Sequence, residues 1–340
     1  MLPAVALRSA TTIVSRRCAP ARAGAVRAGT MRAGTVLACA VLAGAALSGC
    51  SLLSSPAANS PGSAPTSAPA PSPGSAAATP AAACPAAPAK FSCSMRARIA
   101  EVQGYLRHRP GVVGVVLRDR STGAVWENRS AHTRIYMAST SKLGMAVTLL
   151  MQNQAGVIHL TSTDYAVLHQ MLHVSSDTDA DTLWFKFGAP FYTSYFPRIG
   201  LASARYVSAP GITPPYWGEM MCSAADLSRL ISYVLDDMPA PLRGYLVNIL
   251  SHVAADQHFG VWGAGRANHP GNKDGWSVEA PGWIINSAGF AGPGQRYTLA
   301  MMNSLNGHGG YHAGTDTITQ VAAILFQGHQ VQAPKVSATP

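Results

Sequence analysis

Arg134-Ile-Tyr-Met-Ala-Ser-Thr-Ser-Lys142 is the stretch on which the fold and the chemistry both turn. A helical run continues from Thr140 to Gln154, so Ser139 and Lys142, three residues apart, share one face and bring an amine beside a hydroxyl. A serine hydroxyl is a poor nucleophile until a neighbouring base takes its proton. Lysine can be that base when burial and a second cation depress its pKa. At a helix start, Ser139 also meets backbone N–H groups and a dipole that favour developing negative charge. Lysine is rare in this chain: Lys90, Lys142, Lys186, Lys273 and Lys335 are all there are, and only Lys142 has a serine three residues before it.

Outward from this segment, strand-like and helix-like text alternates from about Phe91 to Gln330, enough for one domain. Residues 94–107 read as an opening helix, and 114–118 and 124–127 as a hairpin around the turn at 119–123. A second helix starts after Leu160 with Thr161 or Ser162 as its cap, and a third covers 223–235. Residues 282–289 and 296–302 read as paired strands, and 317–326 as a closing helix. Strands near both ends with helices between them predict one sheet assembled from both chain ends.

Two further segments share a pattern with the first. Met171-Leu-His-Val-Ser-Ser-Asp-Thr-Asp-Ala-Asp-Thr-Leu-Trp184 lies downstream, and Lys273-Asp-Gly275 precedes Trp276 and the run GWIINSAGFAGPGQRYTLAMM. Together they resemble the class A β-lactamases and related penicillin-recognising serine enzymes, whose segments read F-x-x-A-S-T-x-K, M-x-x-x-S-D-N-x-A-A-x-x-L-W and K-T-G. The resemblance spans about 200 residues. It implies an α/β fold (α+β in some schemes) of the β-lactamase/DD-peptidase type, with an antiparallel sheet flanked by helices and an all-helical subdomain. It further implies Ser139 as nucleophile, Lys142 as base, and Ser175 with Lys273 relaying a proton to the leaving nitrogen. Asp177, Asp274, Gly275 and Trp276 then fall at substrate-binding positions, with the Ser139 and Trp276 backbone N–H groups as oxyanion hole. A frame shifted by one would use Ser176 in place of Ser175; the first frame also aligns Met171, Ala180, Leu183 and Trp184.

The departures from the family pattern are chemical. No carboxylate stands between Asp181 and Glu219, where class A β-lactamases carry the glutamate that activates the deacylating water, and Glu219 is not expected to reach the site. An acyl-enzyme on Ser139 is therefore expected to hydrolyse slowly. Acids also occupy two neutral positions, Asp177 for asparagine and Asp274 for threonine or serine. Asp274 is expected either to repel a substrate carboxylate or to pair with Lys273. The expected function is acyl transfer from a β-lactam or a peptidyl amide or ester to serine. The alternatives are a slow-turnover penicillin-binding or D-Ala-D-Ala carboxypeptidase role, and a cell-envelope binding lipoprotein that kept the fold without the chemistry.

The N-terminal quarter reads differently. Residues 35–47, TVLACAVLAGAAL, form an apolar stretch too short for a permanent membrane helix, and the ending L-S-G-C resembles a bacterial lipobox. Residues 1–49 are expected to be a signal peptide, with translation starting at Met1 or at Met31, and Cys50 is expected to carry a lipid. Residues 51–89 are almost wholly Ser, Pro, Ala and Gly, a tether without the apolar content to fold. The assignment is thus signal 1–49, lipidated Cys50 and linker 50–90, hydrolase domain 91–331, and tail 332–340. An exported chain held on the outer face of the cytoplasmic membrane follows.

Charge agrees with that partition. Of the 25 basic residues, six arginines precede position 50, and the rest of the chain carries 19 against 15 acids, so the formal +10 is largely a property of the signal. A nucleic-acid partner is not expected. The expected partner is a small or peptidoglycan-derived acyl substrate met by a monomer, with no cofactor and no metal. Among the cysteines outside the signal and Cys50, a disulfide among Cys84, Cys93 and Cys222 is open. His308 and His312, in HGGYH, read as a surface loop. Tyr136, Trp184, Trp217, Trp262 and Trp283 read as core or cleft wall, Gln257 and Phe259 as a packing segment, and Arg205 or Arg266 as a carboxylate clamp.

Overall fold

The computed structural model describes residues 84–207 and 215–328; the signal, Cys50, residues 51–83 and the tail at 332–340 lie outside them. Helix α1 (Cys93–Leu106) opens the fold and is followed by the hairpin β1 (Val112–Asp119) and β2 (Ala124–Glu127). Short strand β3 (Ile135–Tyr136) leads through a 3-10 turn (Ala138–Thr140) into α2 (Ser141–Gln154). Then come α3 (Ser162–His173), α4 (Asp177–Phe187), α5 (Ala189–Tyr195) and the short strands β4 (Arg205–Tyr206) and β5 (Met220–Cys222). Helices α6 (Ala224–Ser232) and α7 (Ala240–Ser251) precede β6 (Gly271–Glu279), β7 (Gly282–Ala291), β8 (Tyr297–Ser304) and α8 (Tyr311–Gln327).

The main sheet is antiparallel, in the order β2-β1-β8-β7-β6, so the first hairpin pairs with the last strands, as the sequence predicts. Its two faces alternate along each strand. On β1, Val113, Val115 and Leu117 face α1 and α8, while Val116 faces the helical side. A second sheet of three short strands, β3-β5-β4, lies at the edge of the helical part.

Helix α2 is the axis of the helical part. Every residue from Ser141 to Leu150 is buried, as expected for a helix whose sequence is apolar or small nearly all round. Helix α3 begins with the predicted cap: Thr161 and Asp164 form a reciprocal capping box. Asp164 also receives Lys186 of α4 at 2.5 Å, which ties α3 to α4 and fixes the turn between them. A second capping box, Ser223 with Asp226, starts α6; the predicted helix over 223–235 ends in a π turn at Tyr233–Asp237.

Two details go beyond the sequence reading. The closing helix starts at Tyr311, not near 317, because Tyr311 packs against Phe259, Trp276 and Trp283 and so draws the residues after the glycines into a helical turn. His312 is therefore helical and His308 lies in the preceding turn. Among the described residues, no group of three or more His, Cys, Asp or Glu is arranged to hold a metal ion. The disulfide joins Cys84 to Cys93 and ties residues 84–90 to the start of α1, leaving Cys222 a buried thiol.

Candidate active site

Ser139 sits, half-buried, in the 3-10 turn that runs without a break into α2, whose second residue is Lys142. The turn is held tightly. Ala138, just before the serine, has φ +46°, a left-handed conformation that costs a non-glycine residue of order 1–3 kcal/mol and persists only where its surroundings impose it. Those surroundings are visible. The Asn286 side chain on β7 donates to the carbonyls of Tyr136 (2.8 Å) and Met137 (3.1 Å). Thr140 Oγ1 donates to Met137 O at 2.7 Å and Ser141 Oγ to Ala138 O at 2.8 Å.

The edge strand β6 closes against this turn at Gly275. A Cβ there would stand 2.7 Å from Met137 O and Thr140 N and 2.8 Å from Ser139 N, so only glycine lets the strand come this close to the serine amide. Trp276 follows at once. Its indole is half-buried and packs edge-on against Phe259 and Tyr311, away from the helical side.

Ser175 is the meeting point of the two lysines. It too has positive φ, +58°, in the turn between α3 and α4. Lys273 Nζ lies 2.9 Å from its Oγ and Lys142 Nζ 3.4 Å from the same atom. Lys142 Nζ also donates to Ser175 O and to Asp177 Oδ1, each at 2.5 Å. Lys273 donates to Gln257 Oε1 at 2.7 Å and to Asp274 O at 2.9 Å. Ser176, the alternative in the shifted frame, caps α4 by accepting from Asp179 N.

Both amines are out of water. Lys142 has no exposed side-chain surface, whereas its partner Asp177 is 73% exposed. Burial lowers the Lys142 pKa, and the Asp177 carboxylate works against that by favouring the ammonium. For Lys273, burial and then the charge of Lys142 bring the value down to about 7. The site thus holds two amines that compete for charge around one hydroxyl.

Asp274 requires a correction. It neither faces the cleft nor pairs its carboxylate with Lys273. Strand alternation turns it to the opposite face of β6 from Lys273, where it is fully buried and accepts from Asn272 Nδ2 at 2.5 Å. Burial pushes its pKa well above the ordinary carboxylate range, favouring the neutral acid, and it lies inside the protein, out of reach of a substrate.

Three residues have contacts at the site that their sequence context does not specify. Gln257 bridges Lys273 to the carbonyl of His173 through its Nε2 at 2.7 Å. Trp217 lays its ring 4.6 Å from Lys142 Nζ, and its indole N–H donates to Asp181 Oδ1 at 2.8 Å, one turn beyond Asp177 on α4. Asn286, within the run GWIINSAGFAGPGQRYTLAMM, holds the turn before Ser139. Glu219 does not hydrogen-bond either lysine or Ser175 among the described residues; burial and the nearby Glu279 raise its pKa. Arg205 and Arg266 are exposed, on β4 and in a 3-10 turn beside His258, respectively.

Comparison with solved structures gives the same arrangement of elements. The reconstructed ancestral (GNCA) class A β-lactamase superposes with a TM-score of 0.56 at 18% identity, over 69% of this chain and 100% of that one. The β-lactamase from Streptosporangium roseum gives 0.56 at 17% identity, over 68% and 98%. A structure described as PBP-A gives 0.56 at 18% identity, over 68% and 95%. The fold is that of the class A β-lactamases. Proteins named "Putative lipoprotein LppW" from Mycobacterium bovis and Mycobacterium tuberculosis are 28% identical over 230 residues, 64% of this chain and 71% of theirs. No family model matches the chain.

Proposed function

We propose that the protein is an envelope lipoprotein, anchored through Cys50, that acylates Ser139 with a β-lactam or a peptidyl amide or ester. The observation that carries this reading is the convergence of two buried amines on the Ser175 hydroxyl, beside a serine whose amide faces a glycine strand edge. Ser139 Oγ attacks the carbonyl carbon while Lys142 takes its proton. The oxyanion is received by the backbone N–H groups of Ser139 and Trp276. Ser175, between the two amines, gives its proton to the leaving nitrogen, or oxygen in an ester, as the acyl bond breaks, and takes back from Lys142 the proton that came from Ser139. Lys273 holds Ser175 for that relay, and Asp177 holds Lys142. Water then has no carboxylate partner between Asp181 and Glu219, so the acyl-enzyme persists. The lipid anchor draws support from the L-S-G-C ending and from the name of the LppW relatives.

Labelling with a fluorescent penicillin tests the proposal. The wild-type protein is expected to keep a covalent label through denaturing electrophoresis, and Ser139→Ala to take none. Equal labelling of both proteins, or of neither, would overturn it.

Asp177 favours the protonated, non-basic form of Lys142, and this gives substance to a second reading in which the fold binds ligands with little acylation. Only the neutral amine accepts a proton, so acylation should rise as pH passes upward through the Lys142 pKa. Asp177→Asn keeps an acceptor oxygen but removes the charge, which moves that rise to lower pH. At a fixed pH on the rising limb of that profile, acylation is expected to quicken by about tenfold, the order expected from removing one opposite charge at hydrogen-bond distance. A pH–rate profile of labelling checks this; an unmoved profile would mean that Asp177 does not govern the base.

A further inference from the structure

Away from the catalytic residues, three cavities adjoin along the side of the domain where α1 ends and the small sheet begins. The first, about 400 Å³, is lined by Arg107, Arg109 and Arg129, with Glu127 the one acid in its wall. The second, about 190 Å³, shares Val112 with the first and is otherwise walled mainly by apolar groups, among them Tyr136, Met221, Pro281 and Ile284. Arg134 lines both the second and the third, a cavity of about 470 Å³ that also carries Arg205 and Arg229. Six arginines therefore line one track against one of the chain's 15 acids.

The strand register explains part of the alignment. Tyr136 and Arg205 both pair with Met221, so they share a face of the small sheet with Arg134, two residues before Tyr136. These arginines are largely unclaimed. The side chains of Arg107, Arg129, Arg134 and Arg205 make no hydrogen bond or ion pair among the described residues, and all four are exposed. Arg109 lies over the Tyr105 ring, and only Arg229 has a carboxylate, Asp226. Glu127 is itself paired with His132. Glu219 and Glu279 act on Tyr136 electrostatically but line none of the three cavities.

We propose that this track binds an extended phosphodiester-linked chain of polyol or sugar units, with anionic groups in the two arginine cavities and an uncharged CH-rich unit in the apolar one between them. Unpaired guanidinium groups recognise phosphate in a planar, two-point fashion. Their concentration in concave walls strengthens the local field beyond that of scattered surface charges. A run of adjoining cavities with cations at both ends suits a chain with repeated anions better than a single head group. An apolar middle with one half-buried tyrosine offers CH contact and no aromatic ladder on which successive bases could stack. This surface uses none of the residues assigned to acylation, so it stands or falls separately from the catalytic reading.

Calorimetry on the full-length chain carrying Cys50→Ser tests the proposal, with poly(glycerol phosphate) of about a dozen units as probe and glycerol 3-phosphate as its monomer. If both ends of the track are engaged by one chain, the polymer should bind at least about 30-fold more tightly than the monomer. The affinity should fall steeply with added salt. Arg107→Ala/Arg129→Ala and Arg134→Ala/Arg205→Ala, each removing one end, should each weaken polymer binding about tenfold or more. Arg198→Ala/Arg266→Ala, exposed arginines outside the track, should leave it within about twofold. Equal affinity for monomer and polymer, an equal loss in the control pair, or no polymer binding would each overturn the assignment. So would tighter binding of oligothymidylate of matched length, which would make the track a nucleic-acid surface. Arginine-dependent binding to phosphatidylglycerol vesicles without polymer binding would overturn it too, making the track a membrane-facing patch.

Discussion

Lys142→Met is expected to slow acylation of Ser139 by about 10²–10⁴-fold, the range over which a positioned general base acts, while leaving the domain folded. Methionine matches the length and shape of the lysine stem and fills an irregular buried space readily. The lost ammonium is one that burial already disfavours, and of the two acceptors it leaves, Ser175 O lies in a half-buried turn while Asp177 is 73% exposed and can be hydrated. The melting temperature should therefore hold or rise even as labelling fails, an outcome that separates a catalytic lysine from a structural one. Removing the charge of Lys142 also relieves one cause of the depressed Lys273 pKa, so Lys273 becomes a weaker acid in the variant. Rapid-mixing labelling and a thermal melt on the same preparation check both halves. Labelling at the wild-type rate would move the base to Lys273.

The second large effect belongs to a residue with no side chain. Gly275→Ala places a carbon 2.7–2.8 Å from Met137 O, Thr140 N and Ser139 N, all backbone atoms that cannot swing aside. Either β6 withdraws from the nucleophile turn or the turn itself shifts, and both separate the Ser139 amide from the strand edge. Loss of one oxyanion donor is worth about 10²–10³-fold in rate, and forcing a methyl into a packed site costs about 1–3 kcal/mol. The variant should thus melt lower than wild type and label at least 10²-fold more slowly, with Lys142 and Ser175 intact. A Gly275→Ala protein that labels normally would show that this strand edge takes no part in the reaction.

Much of the architecture was legible because it rests on local pattern. Thr161 and Ser223 announce their helices through caps three residues ahead of an acid, and the hairpin over 114–127 and the late strands read as short apolar runs bounded by turn residues. The Ser139–Lys142 spacing is likewise a property of one helical turn. What stayed hidden depends on which way a side chain turns after the strands have paired. Asp274 is the clearest instance: with Lys273 turned to the helical side, alternation sends its neighbour to the other face. Gln257 and Trp217 gave no signal, since an isolated glutamine in A-D-Q-H-F-G-V-W and a tryptophan among prolines and tyrosines look like packing until the lysines they touch are in place. Tyr311 misled for a similar reason: glycines at 309 and 310 read as loop, and only the aromatic cluster around it reveals a helix start.

Arg98 on the opening helix donates to the carbonyls of Leu325 and Phe326 at the end of the closing one, at 2.9 and 3.4 Å. The polypeptide accordingly enters and leaves the domain through neighbouring turns. A pull applied between the two ends of the described domain would first prise apart this helix pair, with the central sheet standing between the load and the serine. The body could be joined end to end by a short loop and reopened elsewhere, for the two ends already meet.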